Sequence, residues 1–133
     1  MFEWNNSYDV NLDTIDEDHR KLFHIMHSLY LASQEGATDT RIDTIVSELF
    51  DYTVYHFDHE QSLMNQYDYP QKDSHITQHK HLIAVLTQKR ASRSHQPAAA
   101  LAQELLNIIR NWIITHIEQT DKKLAFFIRS SNR

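Results

Sequence analysis

Leu101-Ala102-Gln103-Glu104-Leu105-Leu106-Asn107-Ile108-Ile109-Arg110-Asn111-Trp112-Ile113-Ile114-Thr115-His116-Ile117 is the most apolar stretch of the chain, and its pattern decides the fold. Leu101, Leu105, Ile108 and Trp112 recur at steps of three and four, which places them on one stripe of an α-helix. Gln103, Glu104, Asn107, Arg110 and Asn111 interrupt the stretch too often for a membrane span of about 20 apolar residues. An amphipathic helix packed on other helices is what remains. Upstream, Leu22, Phe23, Met26 and Tyr30 repeat the spacing, as do Leu49, Thr53, His56, Glu60, Leu63 and Tyr67. Leu82 and Leu86 continue a stripe that begins at His75 and His79.

Composition narrows the class. The 133 residues, 41% hydrophobic and 23% charged, suit one domain with a real core. One glycine, Gly36, and two prolines, Pro70 and Pro97, cannot supply the turns that a β-sandwich needs every ~8–12 residues. Glycine-rich phosphate loops are excluded for the same reason. Without cysteine there is no disulfide, no thiolate-held iron–sulfur cluster and no cysteine zinc site. A net charge of −5 argues against nucleic acid as a partner. Met1-Phe2-Glu3-Trp4-Asn5-Asn6 has neither the basic nor the apolar region of a secretory signal, so the expectation is a cytoplasmic protein with no membrane partner.

Start and stop signals divide the chain into an arm and four helices. Residues 1–13 form the arm, whose Phe2, Trp4 and Tyr8 suit docking onto the domain. Thr14-Ile15-Asp16-Glu17 reads as a capping box opening a helix over about 17–35, which ends at Gly36. A second helix covers about 40–66 and stops before Tyr69-Pro70. A third covers about 71–92, and Pro97 sits in the first turn of a fourth, about 97–128. Short loops make sequential helices antiparallel. The expectation is a single all-α domain over 1–133, an up-down-up-down four-helix bundle with an N-terminal arm.

Ten histidines in so short a chain need an explanation. His56 with Glu60, and His75 with His79, are i,i+4 pairs, whose side chains lie about 40° apart on a helix. Alone such pairs are common on solvated faces. These continue apolar stripes, as do His19 ahead of Phe23 and His116 after Trp112. Burying an unpaired polar group costs on the order of 2–7 kcal/mol, so hydrogen bonds or a metal must satisfy them. Axial height favours a metal. His19 lies 16 residues before the end of its helix and His56 lies 16 after the start of the next, roughly 24 Å from their shared loop. Glu60, His75 and His79 are four to eight residues from the loop at Pro70, and His75 and His116 are 17 and 19 residues from the third loop. All share one layer within a helical turn.

Asp121 fits less well. Five residues beyond His116, it is rotated by about 140° on a regular helix, which makes it a surface residue unless a π-type turn intervenes. His24 and His81 point away from the layer, and His27 and His95 carry no signal. His59 flanks the inward stripe, where a solvated side chain and a support for the ligands both stay open.

Together, His19, His56-Phe57-Asp58-His59-Glu60, His75-Ile76-Thr77-Gln78-His79 and His116-Ile117-Glu118-Gln119-Thr120-Asp121 resemble the hemerythrin signature of a lone His, HxxxE, HxxxH and HxxxxD. Ile15-Asp16-Glu17-Asp18-His19, Leu63-Met64, Tyr69-Pro70 and Asp121-Lys122-Lys123-Leu124 are similar to the bacterial branch. The resemblance spans essentially the whole chain and fills all seven ligand positions, Asp121 included. It implies two non-haem iron ions joined by an oxo or hydroxo bridge. His75, His79 and His116 would hold one, His19 and His56 the other, and Glu60 and Asp121 would bridge them. It further implies that O2 binds reversibly at the two-histidine iron in an apolar pocket; Trp112 and Ile113, one turn before His116, are candidate walls of it, with ordinary core packing as the open alternative. The family's function is that of an oxygen carrier, store or sensor rather than an enzyme.

Other readings have their own marks. A di-iron oxidase, peroxidase or ferroxidase is the enzyme alternative, but such sites are built from more carboxylates than the two here. A signalling O2 sensor would act through a separate partner protein, which the sequence does not identify. A structural zinc site is the plainest alternative. Zinc peptidase chemistry is not expected, because position 76 is Ile where HExxH has Glu at the second place.

Overall fold

The computed structural model describes residues 2–131; Met1, Asn132 and Arg133, which the expected domain includes, lie outside the described residues. Among the described residues five α-helices follow one another: α1 (Asp13–Gln34), α2 (Asp39–Gln66), α3 (Lys72–Arg90), α4 (Ala98–His116) and α5 (Lys122–Ser131). A π-helical turn over Ile117–Asp121 joins α4 to α5 without leaving helical backbone, so the two serve as the fourth stave of a bundle. α1 lies against α2 and α4, and α3 lies against the same two, giving the up-down-up-down four-helix arrangement. Among the described residues there is no strand, and no helix is long and apolar enough to cross a membrane.

Local chemistry accounts for the turns. Gly36 takes φ 74°, the left-handed conformation that glycine adopts without strain, and the Ala37 N–H returns to the Ala32 carbonyl to close the end of α1. Thr38 caps α2 by accepting the Arg41 N–H. At the other end of α2, Asp68 takes the left-handed place (φ 51°) and the Tyr69 N–H returns to Met64. Pro97 is the residue just before α4 rather than inside its first turn.

The start of α1 departs from expectation. The helix begins at Asp13, and its cap residue, Leu12, offers no side-chain hydrogen bond. Thr14 Oγ1 instead meets His59 Nε2, so the hydroxyl of the expected capping box makes a contact with α2, and Asp16 Oδ1 accepts the Val10 N–H. The arm is docked. Phe2 and Val10 are buried, Phe2 lies 5.3 Å from the Tyr30 ring, and Trp4 and Tyr8 pack on Phe23.

The apolar stripes run slightly differently from the spacing read above. In α4 the buried row is Leu101, Leu105, Ile109 and Ile113, while Ile108 and Trp112 are half-buried. Both rows are apolar, so periodicity alone could not rank them. Likewise Leu29, Phe57 and Met64 are buried where Tyr30, Leu63 and Tyr67 lie at the edge. Leu86 is fully buried three turns from His75 on α3. Leu86→Ala is expected to cost about 2–5 kcal/mol by the cavity it leaves. Urea denaturation checks this, with the midpoint falling and the slope unchanged.

Candidate metal centre

Four staves deliver seven donors to one layer. α1 contributes His19, α2 contributes His56 and Glu60, α3 contributes His75 and His79, and the fourth stave contributes His116 and Asp121. All are 0 to 4% exposed. The π turn is what brings Asp121 in. Holding one extra residue, it sets position i+5 above position i, as a regular turn sets i+4. Asp121 Oδ1 therefore lies 3.0 Å from His116 Nε2 and is fully buried.

The donors fall into two sets that overlap. Glu60, His75, His79, His116 and Asp121 form one, and His19, His56, Glu60 and Asp121 the other; within each set the donor atoms lie within 4.8 Å of one another. Glu60 and Asp121 belong to both.

Hydrogen bonding alone does not satisfy this cluster. His19 Nε2 is 3.0 Å from Asp121 Oδ2, yet neither atom has a hydrogen-bond partner. His56 Nε2, Glu60 Oε2 and Asp121 Oδ1 are also buried without one. His116 Nε2 stands 3.1 Å from His79 Nε2 and 3.2 Å from His75 Nε2, three ring nitrogens facing one another. Two nitrogens each about 2.1 Å from a metal ion and at right angles would lie about 3.0 Å apart. Imidazole with carboxylate suits iron, and a carboxylate shared by two cations offsets their repulsion. The residues present therefore fit a two-metal group.

Proton affinities tell the same story. Burial pushes the His75 imidazole down, but the adjacent Asp121 and Glu60 carboxylates outweigh it and raise it to about 9. His19 also rises, Asp121 overcoming its burial. His79 falls, because burial and the neighbouring His75 and His116 outweigh Glu60. Glu60 is buried beside another anion, yet His56, His75 and His79 hold it below the usual carboxylate range. Asp121 is held well below it by His116, His19 and His75 against its own burial.

Around the donors sit residues that the sequence reading missed or left open. Gln78 Oε1 accepts His116 Nδ1–H at 2.9 Å and the Thr120 hydroxyl at 2.9 Å. Asp18 Oδ2 accepts His56 Nδ1–H at 3.0 Å and also a proton from His59 Nδ1. Burial would raise the Asp18 carboxyl, but these two histidines keep it lowered. His59 is therefore joined to the His56 side of the cluster through Asp18. Asp18 and Gln78 each directly precede one donor histidine in the chain but hold another on a different helix, which the sequence does not reveal.

Aromatic rings back the three-histidine set. Phe57 stacks on His79 at 3.8 Å, and Trp112 stacks on His116 at 4.2 Å. Trp112 is half-buried and lines a surface groove between α3 and α4, whereas Ile113 is fully inside. His24, His81 and His95 are exposed and stand apart from both donor sets.

Residues 10–126 match the protein family described as Hemerythrin, the Hemerythrin HHE cation binding domain. The chain is 26% identical to a bacteriohemerythrin of Stenotrophomonas maltophilia (strain R551-3), over 94% of this chain and 80% of the relative. It is 29% identical to a bacteriohemerythrin of Clostridium acetobutylicum, over 92% of this chain and 98% of the relative. A myohemerythrin of Theromyzon tessulatum is 25% identical over 92% of this chain and 89% of its own length.

The raised imidazoles give the metal-free protein a pH signature. A histidine held above its unfolded value of 6.5 contributes stability that is complete below pH 6.5 and is lost as pH rises through its folded value, about 9 for His75. His19 adds in the same direction and His79 opposes it. The melting temperature of the metal-free chain is expected to fall from pH 6.5 to 9. The metal-loaded chain should lack that loss, because its ligands are bound without their protons. Thermal melts of both forms across the range check it.

Proposed function

The chain belongs to the hemerythrin family, and from that premise we propose that it binds O2 reversibly at two non-haem irons in the core of its four-helix bundle. One observation carries the proposal. Two buried donor sets, one of five residues and one of four, share two carboxylates.

His75, His79 and His116 would hold one iron and His19 and His56 the other, with Glu60 and Asp121, which belong to both donor sets, serving the two together. The set of four leaves its metal one donor short of the set of five, and that shortfall is the place for an incoming ligand. When bound, a ferrous pair would supply the two electrons that reversible binding of O2 draws on. The chain's residues make that reversible. Glu60 and Asp121 keep the two sites together and offset their charge. Five imidazoles against two carboxylates donate less negative charge than the carboxylate-rich sets of di-iron enzymes, which favours binding over oxidation of a substrate. Ile113, Ile117 and Leu22 are buried around this level and exclude water, so few protons reach the ligand. Ile113 is the wall we assign to the O2 pocket. Trp112 contributes from the other side by holding the His116 ring in place.

The deciding experiment is iron loading, anaerobic reduction, admission of O2 and purging, followed by visible absorption. A band that appears with O2 and disappears on purging supports reversible binding. Steady O2 consumption with no stable oxygenated form would make the protein an oxidase instead. His75→Ala and Glu60→Ala are each expected to lower iron content and thermal stability together. His95→Ala, on the exposed turn before α4, is expected to leave the oxygenated spectrum intact.

A further inference from the structure

Asp18 precedes one ligand in the sequence but serves another in space. Its Oδ2 accepts His56 Nδ1–H at 3.0 Å and a second proton from His59 Nδ1, while its Oδ1 accepts the Tyr52 hydroxyl at 3.2 Å. His59 Nε2 in turn meets Thr14 Oγ1 at 3.2 Å. Asp18 is buried and His59 half-buried, so this chain of contacts runs from a wholly buried donor toward the surface of the bundle. No anion stands behind the Nδ1 of His19, His75 or His116. His116 Nδ1 is held by the neutral amide of Gln78, and the Nδ1 atoms of His19 and His75 have no partner. The single carboxylate outside the donor sets that touches a donor imidazole is thus found, among the described residues, on the four-donor side.

Resting on the function proposed above, we infer that Asp18 is a positioning residue that sets the electron donation of His56. It fixes His56 with Nε2 toward the metal, and it divides one carboxylate oxygen between His56 and His59. A carboxylate accepting Nδ1–H raises the basicity of the opposite ring nitrogen and strengthens it as a ligand, which favours ferric over ferrous iron. His59 draws on the same oxygen and so weakens that pull. The iron that meets O2 is tuned from the bundle surface, through two histidines that compete for one acceptor.

Competition gives the two positions opposite signs. Asp18→Asn leaves a neutral acceptor behind His56, so the midpoint potential rises, O2 leaves faster, and one of the two irons binds about 10–100-fold more weakly. His59→Leu removes the competitor, so the potential falls and O2 leaves more slowly. A purely structural role would move both variants in the same direction or move neither.

The test is a reductive titration of the iron-loaded chain and both variants, with iron counted per chain. Proton NMR of the diferrous protein supplies a second readout, the exchangeable ring N–H of His56, which shifts in Asp18→Asn. A rise for Asp18→Asn with a fall for His59→Leu supports the inference. Equal potentials, or shifts of the same sign, overturn it. Should Asp18→Asn fail to fold, His59→Leu decides alone: a lower potential supports the inference, and an unchanged or higher one overturns it. A wild-type chain that takes up no iron pair defeats the proposed function and this inference together. A wild-type chain with two irons and unshifted variants defeats this inference only.

Discussion

Two carboxylates, Glu60 and Asp121, sit fully buried among five imidazoles, and the rest of the structure is organised around that burial. Charged groups removed from water cost several kcal/mol each unless partners compensate them. Here hydrogen bonds do not complete the compensation: Glu60 Oε1 meets His75 Nε2 at 3.3 Å, but Glu60 Oε2 and both Asp121 oxygens have no such partner. Cations held between the two donor sets would meet the demand, since each carboxylate belongs to both sets. The sharing also explains the break in the fourth stave. A regular helix through Ile117–Asp121 would turn Asp121 toward solvent, and the second donor set would lose an anion.

The surroundings hold the donors with different chemistry on each side. Flat aromatic faces back His79 and His116, where Phe57 and Trp112 restrict ring rotation. The neutral Gln78 orients His116. On the side of His19 and His56, Trp4 of the docked arm lies 6.3 Å from the His19 ring, and an anionic group stands behind His56. The five-donor set is thus clamped and neutral in its support, while the four-donor set is covered by the arm and biased by charge. That asymmetry follows the division of labour expected when only one metal meets an outside ligand.

Much of this was legible before any coordinates. Helix count, antiparallel order and the shared height of His19, His56, Glu60, His75, His79 and His116 follow from 3.6-residue spacing and from distances to the loops. Asp121 was not legible from geometry, because a π turn carries no composition signal; only the resemblance of HxxxxD pointed to it. The inward row of α4 was misread because Ile108–Trp112 and Ile109–Ile113 are equally apolar, and the difference is made by which neighbours they meet. The capping box at Thr14 was misread for a related reason. The Thr14 hydroxyl found a partner on α2 that a local motif does not reveal. Asp18 and Gln78 act between helices, so no spacing within one helix could announce them.

The central claim is that two irons share Glu60 and Asp121. X-ray absorption at the iron edge, on protein loaded to saturation and analysed for metal content, tests it most directly. The account predicts two irons per chain with an iron–iron separation under about 4 Å. One iron per chain, or two with no iron scatterer within that distance, would contradict it.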